Sequence, residues 1–353
     1  MLFVPSDVRL RLGRWGVGDA VLIERLTTRQ RWTASPAVTA ILVAFSGGRT
    51  RHQGAECAAD ALGVSQDELL RQIDILNEIG LLATTASDPD PLADQWRTHG
   101  WIAAYDHHLA TWGFPLVDYT VDGWKVDQAR IKGYRNKDPD PGPLAHDYCA
   151  ELPTSLDLAE SAQAGLTAPL TTVLHNTEVS GHLDGGKLCV LLAKTFCFTP
   201  TRAGKIRRTS PSGGARHPAE GYVITRGVSR ISDGVWHVDA ARSRLVRVPG
   251  AVDLDWTRVN LEGLHLAPFI PQAFVVVTSV FARNMYRYRE PRTFRTVLMD
   301  VGHLLGTFEM VASALGLRSF VHHAINEIEV ERMLSISPLK EGAIAGAAVA
   351  GCP

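Results

Sequence analysis

The residues of this chain whose types and spacing could do chemistry concentrate in one run, Lys205 to Tyr222, KIRRTSPSGGARHPAEGY. It holds Arg207 and Arg208, the hydroxyls of Thr209, Ser210 and Ser212, the glycines Gly213 and Gly214, a His217-Pro218 step and Glu220. Paired glycines let the backbone take positive φ and approach a ligand with no Cβ in the way. Pro211 stiffens the entry, and Pro218 disfavours helical geometry at His217. Tyr222-Val223-Ile224-Thr225 then reads as a buried strand. A glycine loop feeding a strand, with hydroxyls and free N–H groups on one rim, suits a flat, hydrogen-bonding ligand whose ring lies against backbone. A surface turn is the plainer alternative, but the flanking Arg, Pro and Glu make this run more specific than a bare Gly-Gly.

Other reactive residue types carry less. His107-His108 and His322-His323 are adjacent pairs; neighbours on a helix or strand point apart, so metal ligation is the minority reading. Five cysteines, Cys57, Cys149, Cys189, Cys197 and Cys352, are scattered without a C-x-x-C pair and read as reduced thiols of a cytoplasmic protein. With 45% hydrophobic and 21% charged residues the composition is that of a soluble globular chain. A net charge of -1 gives no support for nucleic-acid binding. Met1 to Arg14 has no signal-like apolar run, and no stretch nears the ~20 apolar residues of a membrane helix. Nucleic acid and membrane are therefore not expected partners.

The elements that must position these residues fall into three expected segments. Residues 1–84 carry short strands at Val8–Leu12 and Val21–Ile23 around a Gly13–Gly18 turn, and a helix opened by Ser35-Pro36 that runs to Phe45. A second helix spans Ala55–Leu62 and stops at Gly63. A capping box at Ser65-Gln66-Asp67-Glu68 opens a third, with Leu69, Ile73, Leu76 and Ile79 on one stripe. With a closing strand at Leu81–Thr84, this order predicts a small winged-helix domain. Its third helix sets Asp67, Glu68, Asp74 and Glu78 against Arg71 alone, which argues against DNA. Residues 85–165 read as linker and irregular or helical chain, with Trp96, Trp101, Tyr105 and Leu109 lining a helix and no chemistry assigned.

From 166 onward an α+β domain is expected. Leu170–His175 and Leu188–Phe198 read as helices, and Tyr222–Thr225, Val235–Val238 and Leu245–Val248 as antiparallel strands. Ala273–Thr278 is an almost unbroken apolar run suited to a sheet centre. Arg292–Leu315 is a long amphipathic helix with the stripe Leu298, Val301, Leu305, Phe308, Ala312 and Leu315, stopped by Gly316. Gly302 and Gly306 would admit a second helix at a dimer seam. His303, between them, reads first as a core histidine and second as a catalytic one.

Pro211-Ser212-Gly213-Gly214-Ala215-Arg216-His217-Pro218-Ala219-Glu220-Gly221-Tyr222 resembles the flavin loop of the nitroreductase superfamily, in the branch of SagB-type azoline dehydrogenases and related peptide maturation dehydrogenases. Two further blocks keep the family's order: Arg283–Arg289 with Leu298–Leu305, then Ala314–Leu317 with Ala324–Glu327 and Glu341–Ala345. The resemblance covers most of 170–353. It implies a nitroreductase-like FMN fold over 166–353, and a homodimer whose subunits share the flavin sites. The implied FMN contacts are Pro211, Ser212, Gly213, Gly214, Glu220, Gly316 and Leu317, with Arg207 and Arg208 as cofactor-binding candidates that would compensate for missing positive charge at the phosphate. The implied substrate is a ribosomal precursor peptide oxidised from azoline to azole or by a related step, with cyclodehydratase subunits as partners. The 1–84 domain would then bind a leader peptide at a sheet edge, with a packing module as the plainer reading.

Two motifs depart from the family pattern. Where the family holds the flavin phosphate with arginines, Val173–Ser180 carries His175, Asn176, Thr177 and Glu178. Asn cannot replace the bidentate fork of Arg, so weak FMN binding is expected. At the family's Lys-Tyr pair stand Arg287 and Tyr288, the catalytic candidates. Arg stays protonated, so Arg287 would stabilise developing negative charge and leave acid–base work to Tyr288. The alternative is a catalytically silent relative that binds peptide or scaffolds a modifying complex.

Overall fold

The apolar run expected at a sheet centre is a strand, Ala273–Val280, with Val275 and Val277 packed into one core and Phe274 and Val276 into another. A strand alternates its side chains between faces, so a run apolar at every position needs cover on both sides. The computed structural model describes residues 1–12, 20–84, 91–140, 155–175, 181–200, 206–249 and 252–352. The chain divides into two units, Met1–Leu116 and Val117–Pro353.

The first unit holds strands β1 (Val8–Arg11), β2 (Val21–Arg25) and β3 (Arg31–Ala34) in an antiparallel sheet of order β1-β2-β3. Helices α1 (Pro36–Ala44), α2 (Arg51–Leu62), α3 (Gln66–Glu78), α4 (Pro91–Thr98) and α5 (Ile102–Thr111) follow. Ser35 caps α1 through the Val38 amide, as its Ser-Pro start requires. The capping box lies elsewhere than expected: Thr50 and Gln53 form it at α2, while the Ser65 side chain caps nothing at α3. Leu81–Thr84 is not a strand; it contributes a single bridge, Ala83 to Phe3. Ile23, Ile41, Leu42, Phe45, Leu69 and Ile73 form this unit's core. Trp96 of α4 meets Trp101 edge-on at 5.7 Å, across the turn that separates α4 from α5.

The second unit is built on a seven-stranded sheet. Its elements are α6 (Gly123–Arg135), β4 (Ser155–Asp157), α7 (Ala159–Gln163), α8 (Leu170–His175), α9 (Gly185–Phe196), β5 (Thr199–Pro200), β6 (Ile206–Arg207), β7 (Ala219–Thr225), β8 (Gly234–Asp239), β9 (Arg244–Val248), α10 (Leu254–Asn260), β10 (Ala273–Val280), α11 (Phe281–Arg287), α12 (Thr293–Ala314), β11 (Arg318–His322), α13 (Glu327–Leu334) and β12 (Glu341–Ala350). The sheet runs β11-β12-β10-β7-β8-β9-β4, with antiparallel neighbours throughout. Leu188, Leu191 and Leu192 of α9 and Val301, Leu304 and Phe308 of α12 cover one face. Leu261, Leu264, Val330 and Leu334 cover the other.

Helix α12 is 22 residues long and apolar enough to cross a membrane by length and composition, which the sequence reading did not expect of any stretch. Its Val297, Val301, Leu304, Leu305 and Phe308 are buried within this fold, as befits a core helix. Its stripe is shifted from the expected one: Leu298 is exposed, and so is His303, which is not a core histidine.

Candidate active site

Strand pairing brings three distant segments to one end of the large sheet. Ala219 and Glu220, which open β7, stand opposite Ser279 and Thr278 near the end of β10. Glu341, which opens β12, stands opposite Val280. The chain enters β7 from the glycine loop and leaves β10 directly into α11. Loop and α11 therefore meet, although about 70 residues separate them in the sequence.

An aspartate of α12 anchors the loop. Ser212 Oγ donates to Asp300 Oδ2 at 2.7 Å, the Gly213 N–H donates to Asp300 Oδ1 at 3.1 Å, and the His217 N–H donates to Ser212 Oγ at 2.8 Å. Burial raises the Asp300 carboxyl above its usual range against the pull of those bonds. The loop passes through left-handed φ at Gly214 (61°), Ala215 (54°) and His217 (46°). Such geometry costs a non-glycine roughly 1 kcal/mol or more, so the anchor must hold it. A Cβ on Gly213 would collide with Thr296 Cγ2, and one on Gly214 with Tyr288 Oη. The loop glycines are thus needed for close packing against this chain's own side chains.

Behind the loop lies a buried charged layer. Glu220 pairs with Arg283 Nη1 at 2.5 Å and with His237 Nε2 at 2.9 Å. Arg283 Nη1 also donates to the His217 carbonyl at 2.9 Å, and Arg216 Nε donates to the Arg283 carbonyl at 2.6 Å. Arg208 Nη1 donates to the Ala219 carbonyl at 2.6 Å, its guanidinium 4.7 Å from the Phe198 ring centre. Burial pushes Arg208 down to about 10, which leaves it charged at neutral pH. Burial, with Arg208 and Arg283 close by, pushes His217 down to about 4, so its imidazole is neutral. Glu220 is the counter-charge of this layer.

Beside the layer, α11 and the start of α12 border an apolar groove of about 610 Å³. Phe281, Asn284, Met285, Tyr288, Phe294 and Leu339 are among its lining residues. That volume falls in the range of small-molecule sites. Asn284 is fully buried, and both its Oδ1 and Nδ2 lack hydrogen-bond partners. A buried amide left unpaired is costly; its donors and acceptor would meet a ligand of the groove once the wall formed by α11 opens. Tyr288 stands four residues further along, one helical turn away. The Arg287 guanidinium lies 5.3 Å from the Tyr288 ring centre and pairs with Asp127 at 3.3 Å.

The residues singled out in the sequence sort into three groups. Ser212, Gly213, Gly214 and Tyr288 come together, with Pro211 in the same loop and Arg287 on the flank of α11. Arg208 and Glu220 lie beneath them in the charged layer. Arg207 is exposed on the β5–β6 hairpin. Gly316 and Leu317 close α12: the Leu317 N–H donates to the Ala312 carbonyl and the Gly316 N–H to that of Ser313. At 1.5 Å per residue this cap is about 24 Å from Asp300 along the helix, so one chain does not bring it to the glycine loop. Residues 176–180, where phosphate arginines stand in the resembled family, lie outside the described residues, as does Lys205. Sequence reasoning missed Asp300 and Asn284. The available signal for Asp300 was a lone acid between Val297 and Val301 on the buried stripe of α12.

This sheet with α12 across one face, the anchored glycine loop and the groove define a nitroreductase-type domain. Residues 186–351 match the nitroreductase family, and the second unit carries a domain of that family. The chain is 33% identical over 162 residues to the trifolitoxin-processing protein TfxB of Rhizobium leguminosarum bv. trifolii, covering 43% of this chain and 42% of TfxB. Among solved structures, a protein of Anabaena variabilis assigned to the nitroreductases is 25% identical, with 64% of this chain and 46% of that chain covered and a TM-score of 0.45. A chain of an E. coli microcin synthetase McbBCD complex with truncated pro-MccB17 bound is 17% identical, with 76% and 95% covered and a TM-score of 0.42. This chain spans less than half the length of TfxB and of the Anabaena protein.

Proposed function

We propose that the chain is an FMN-dependent oxidoreductase acting on a ribosomally made peptide, oxidising an azoline to an azole or carrying out a related dehydrogenation. The observation that carries this reading is the Asn284 amide, buried and unpartnered in an apolar groove shared with Tyr288, within a nitroreductase-family domain. The donor and acceptor of that amide fit the edge of a flavin ring, which carries both kinds of group. Bound flavin would supply a two-electron acceptor. Asn284 would orient the ring edge, Tyr288 would hold the proton at Oη, and Arg287 would stabilise negative charge developing on the substrate. The similarity to a trifolitoxin-processing protein supports a peptide as substrate.

A homodimer accompanies this reading. Phe294, Leu298, Met299 and Met310 are exposed along α12, and Cβ atoms added at Gly302 and Gly306 would meet nothing within 4 Å. That outer face suits a second copy of the helix, which light scattering tests. The first unit serves as the leader-binding module, with cyclodehydratase subunits as assembly partners. The silent-scaffold alternative draws support from one observation: Thr296 and Tyr288 occupy the faces of both loop glycines. Anaerobic mixing of the FMN-loaded protein with its precursor peptide separates the two. Loss of flavin absorbance in a single turnover is expected; peptide binding with flavin left oxidised would favour the scaffold.

A further inference from the structure

Residues 117–140 carry an arrangement that the reading above does not use. Three arginines near the groove each meet an aspartate of this one segment. Arg287 pairs with Asp127 at 3.3 Å, Arg289 with Asp138 at 2.6 Å, and Arg216 with Asp140 at 2.7 Å. Arg289 also lies 4.3 Å from the Tyr134 ring centre, and Tyr286 Oη donates to the Asp138 carbonyl at 3.3 Å. Arg216 and Arg289 both stand within 6 Å of the Tyr286 ring centre.

Among the described residues no side chain of the segment is fully buried, though Val126, Ile131 and Tyr134 are half-buried. Within α6 the only buried residue is Gly123, and Trp124 is exposed. Lys125, Arg130, Lys132, Arg135 and Lys137 are exposed, as are Asp118 and Asp122, while Asp127, Asp138 and Asp140 are paired with the arginines. An element this lightly buried depends on ion pairs that each contribute a factor of about five at most and weaken with salt.

We propose that Arg216, Arg287 and Arg289 form a carboxylate-reading face for an acidic stretch of the peptide substrate. Residues 117–140 are a strap whose three aspartates hold that face until the stretch displaces them. Three arginines engaging three separate carboxylates call for a chain bearing several acids, since a single phosphate cannot meet all of them at these separate points. The proposal rests on the reading of the chain as acting on a peptide. It adds which peptide chemistry is recognised and what must move.

Hydrogen–deuterium exchange of the full chain tests this without any readout of oxidation. The probes are a synthetic ten-residue peptide alternating Asp and Ser, its Asn/Ser counterpart, and sodium phosphate at matched ionic strength. The Asp/Ser peptide is expected to speed exchange of the amides of 123–135 saturably. The triple variant Asp127→Asn, Asp138→Asn, Asp140→Asn is expected to exchange there about 5- to 100-fold faster with no peptide. It should bind the acidic peptide more tightly by the same factor, because displacement and binding are linked. Asp138→Asn alone, with an expected change of up to about fivefold, carries the test if the triple variant is unstable. Wild-type exchange in both variants would overturn the strap. Equal effects of the acidic and neutral peptides would overturn carboxylate reading, and an equal effect of phosphate would assign the arginines to a phosphate group instead. If acidic peptide opens the strap but no peptide is ever oxidised, the face stands and the oxidase reading falls.

Discussion

The glycine loop and the Arg287–Tyr288 corner meet at one end of the sheet, yet they are held in opposite ways. The loop is tied to Asp300 by two donors and backed by a buried layer in which Glu220 answers Arg283 and His237. Arg287 is half-exposed and takes its counter-charge from Asp127, on a helix with no fully buried side chain. Buried charge that meets a counter-charge gives shape, because breaking the pair is costly. Half-exposed charge on a weakly held partner is available for exchange. The residues most distinctive in the sequence therefore build the frame, while Arg287 stands on a lightly held, half-exposed flank.

Breaking the frame should give the largest effect. Glu220→Ala leaves Arg283 buried without its carboxylate, and a loss of about 3–5 kcal/mol in urea unfolding is expected. A loss under about 1 kcal/mol would mean that the layer is not held by charge.

Acid tests the same region with a defined sign. His217 has its folded pKa depressed to about 4 from the ordinary 6.5. Above about pH 6.5 the imidazole is neutral folded or unfolded and costs nothing. As pH falls from there toward 4 the unfolded chain takes up a proton that the folded chain refuses, so stability is lost, in all about 3 kcal/mol. Asp300, with its pKa raised, acts in the opposite sense, gaining protons more readily when folded. The difference between wild type and His217→Asn, a residue that tolerates the left-handed backbone, isolates the histidine. Parallel stability curves between pH 6.5 and 4 would count against its burial.

Gly214→Ala joins the two regions. It adds a left-handed alanine, at about 1–2 kcal/mol, and pushes Tyr288 from its seat on the loop. The melting temperature should fall by several degrees, and any ligand of the groove should bind more weakly. Unaltered ligand affinity would detach Tyr288 from the site.

The smallest stability effect is expected at Arg287. Arg287→Ala should change unfolding by less than about 1 kcal/mol, since the pair with Asp127 is partly solvated. Turnover should nevertheless be lost, and Arg287→Lys should recover part of it through charge alone. Unchanged flavin reduction in Arg287→Ala would remove this residue from the chemistry.

Local patterns made much of the frame legible. The Pro-Ser-Gly-Gly run, the doubly buried strand at Ala273–Val280 and the helix stopped at Gly316 each declare themselves over a few residues. What the sequence hid depends on contacts across the chain. Nothing local to Asp300 says that its partners are Ser212 and Gly213, 88 and 87 residues away. Asn284 reads as one polar residue among arginines and tyrosines, and only its burial without a partner singles it out. Ser65 begins a good capping box, yet the box forms at Thr50 and Gln53. Strand β3 escaped notice because Arg31-Trp32-Thr33-Ala34 is short and begins with a charge, and pairing with β2 defines it.

Whether the groove holds flavin decides between an acting corner and a silent one. Titration of FMN into the purified protein, followed by quenching of flavin fluorescence, tests it with Asn284→Ala alongside. Saturable but weak quenching is expected for the wild type, with affinity at least tenfold lower in the variant, as loss of a paired buried amide implies. No saturable quenching by the wild type, or equal affinity in the two proteins, would contradict the assignment of the groove to the cofactor.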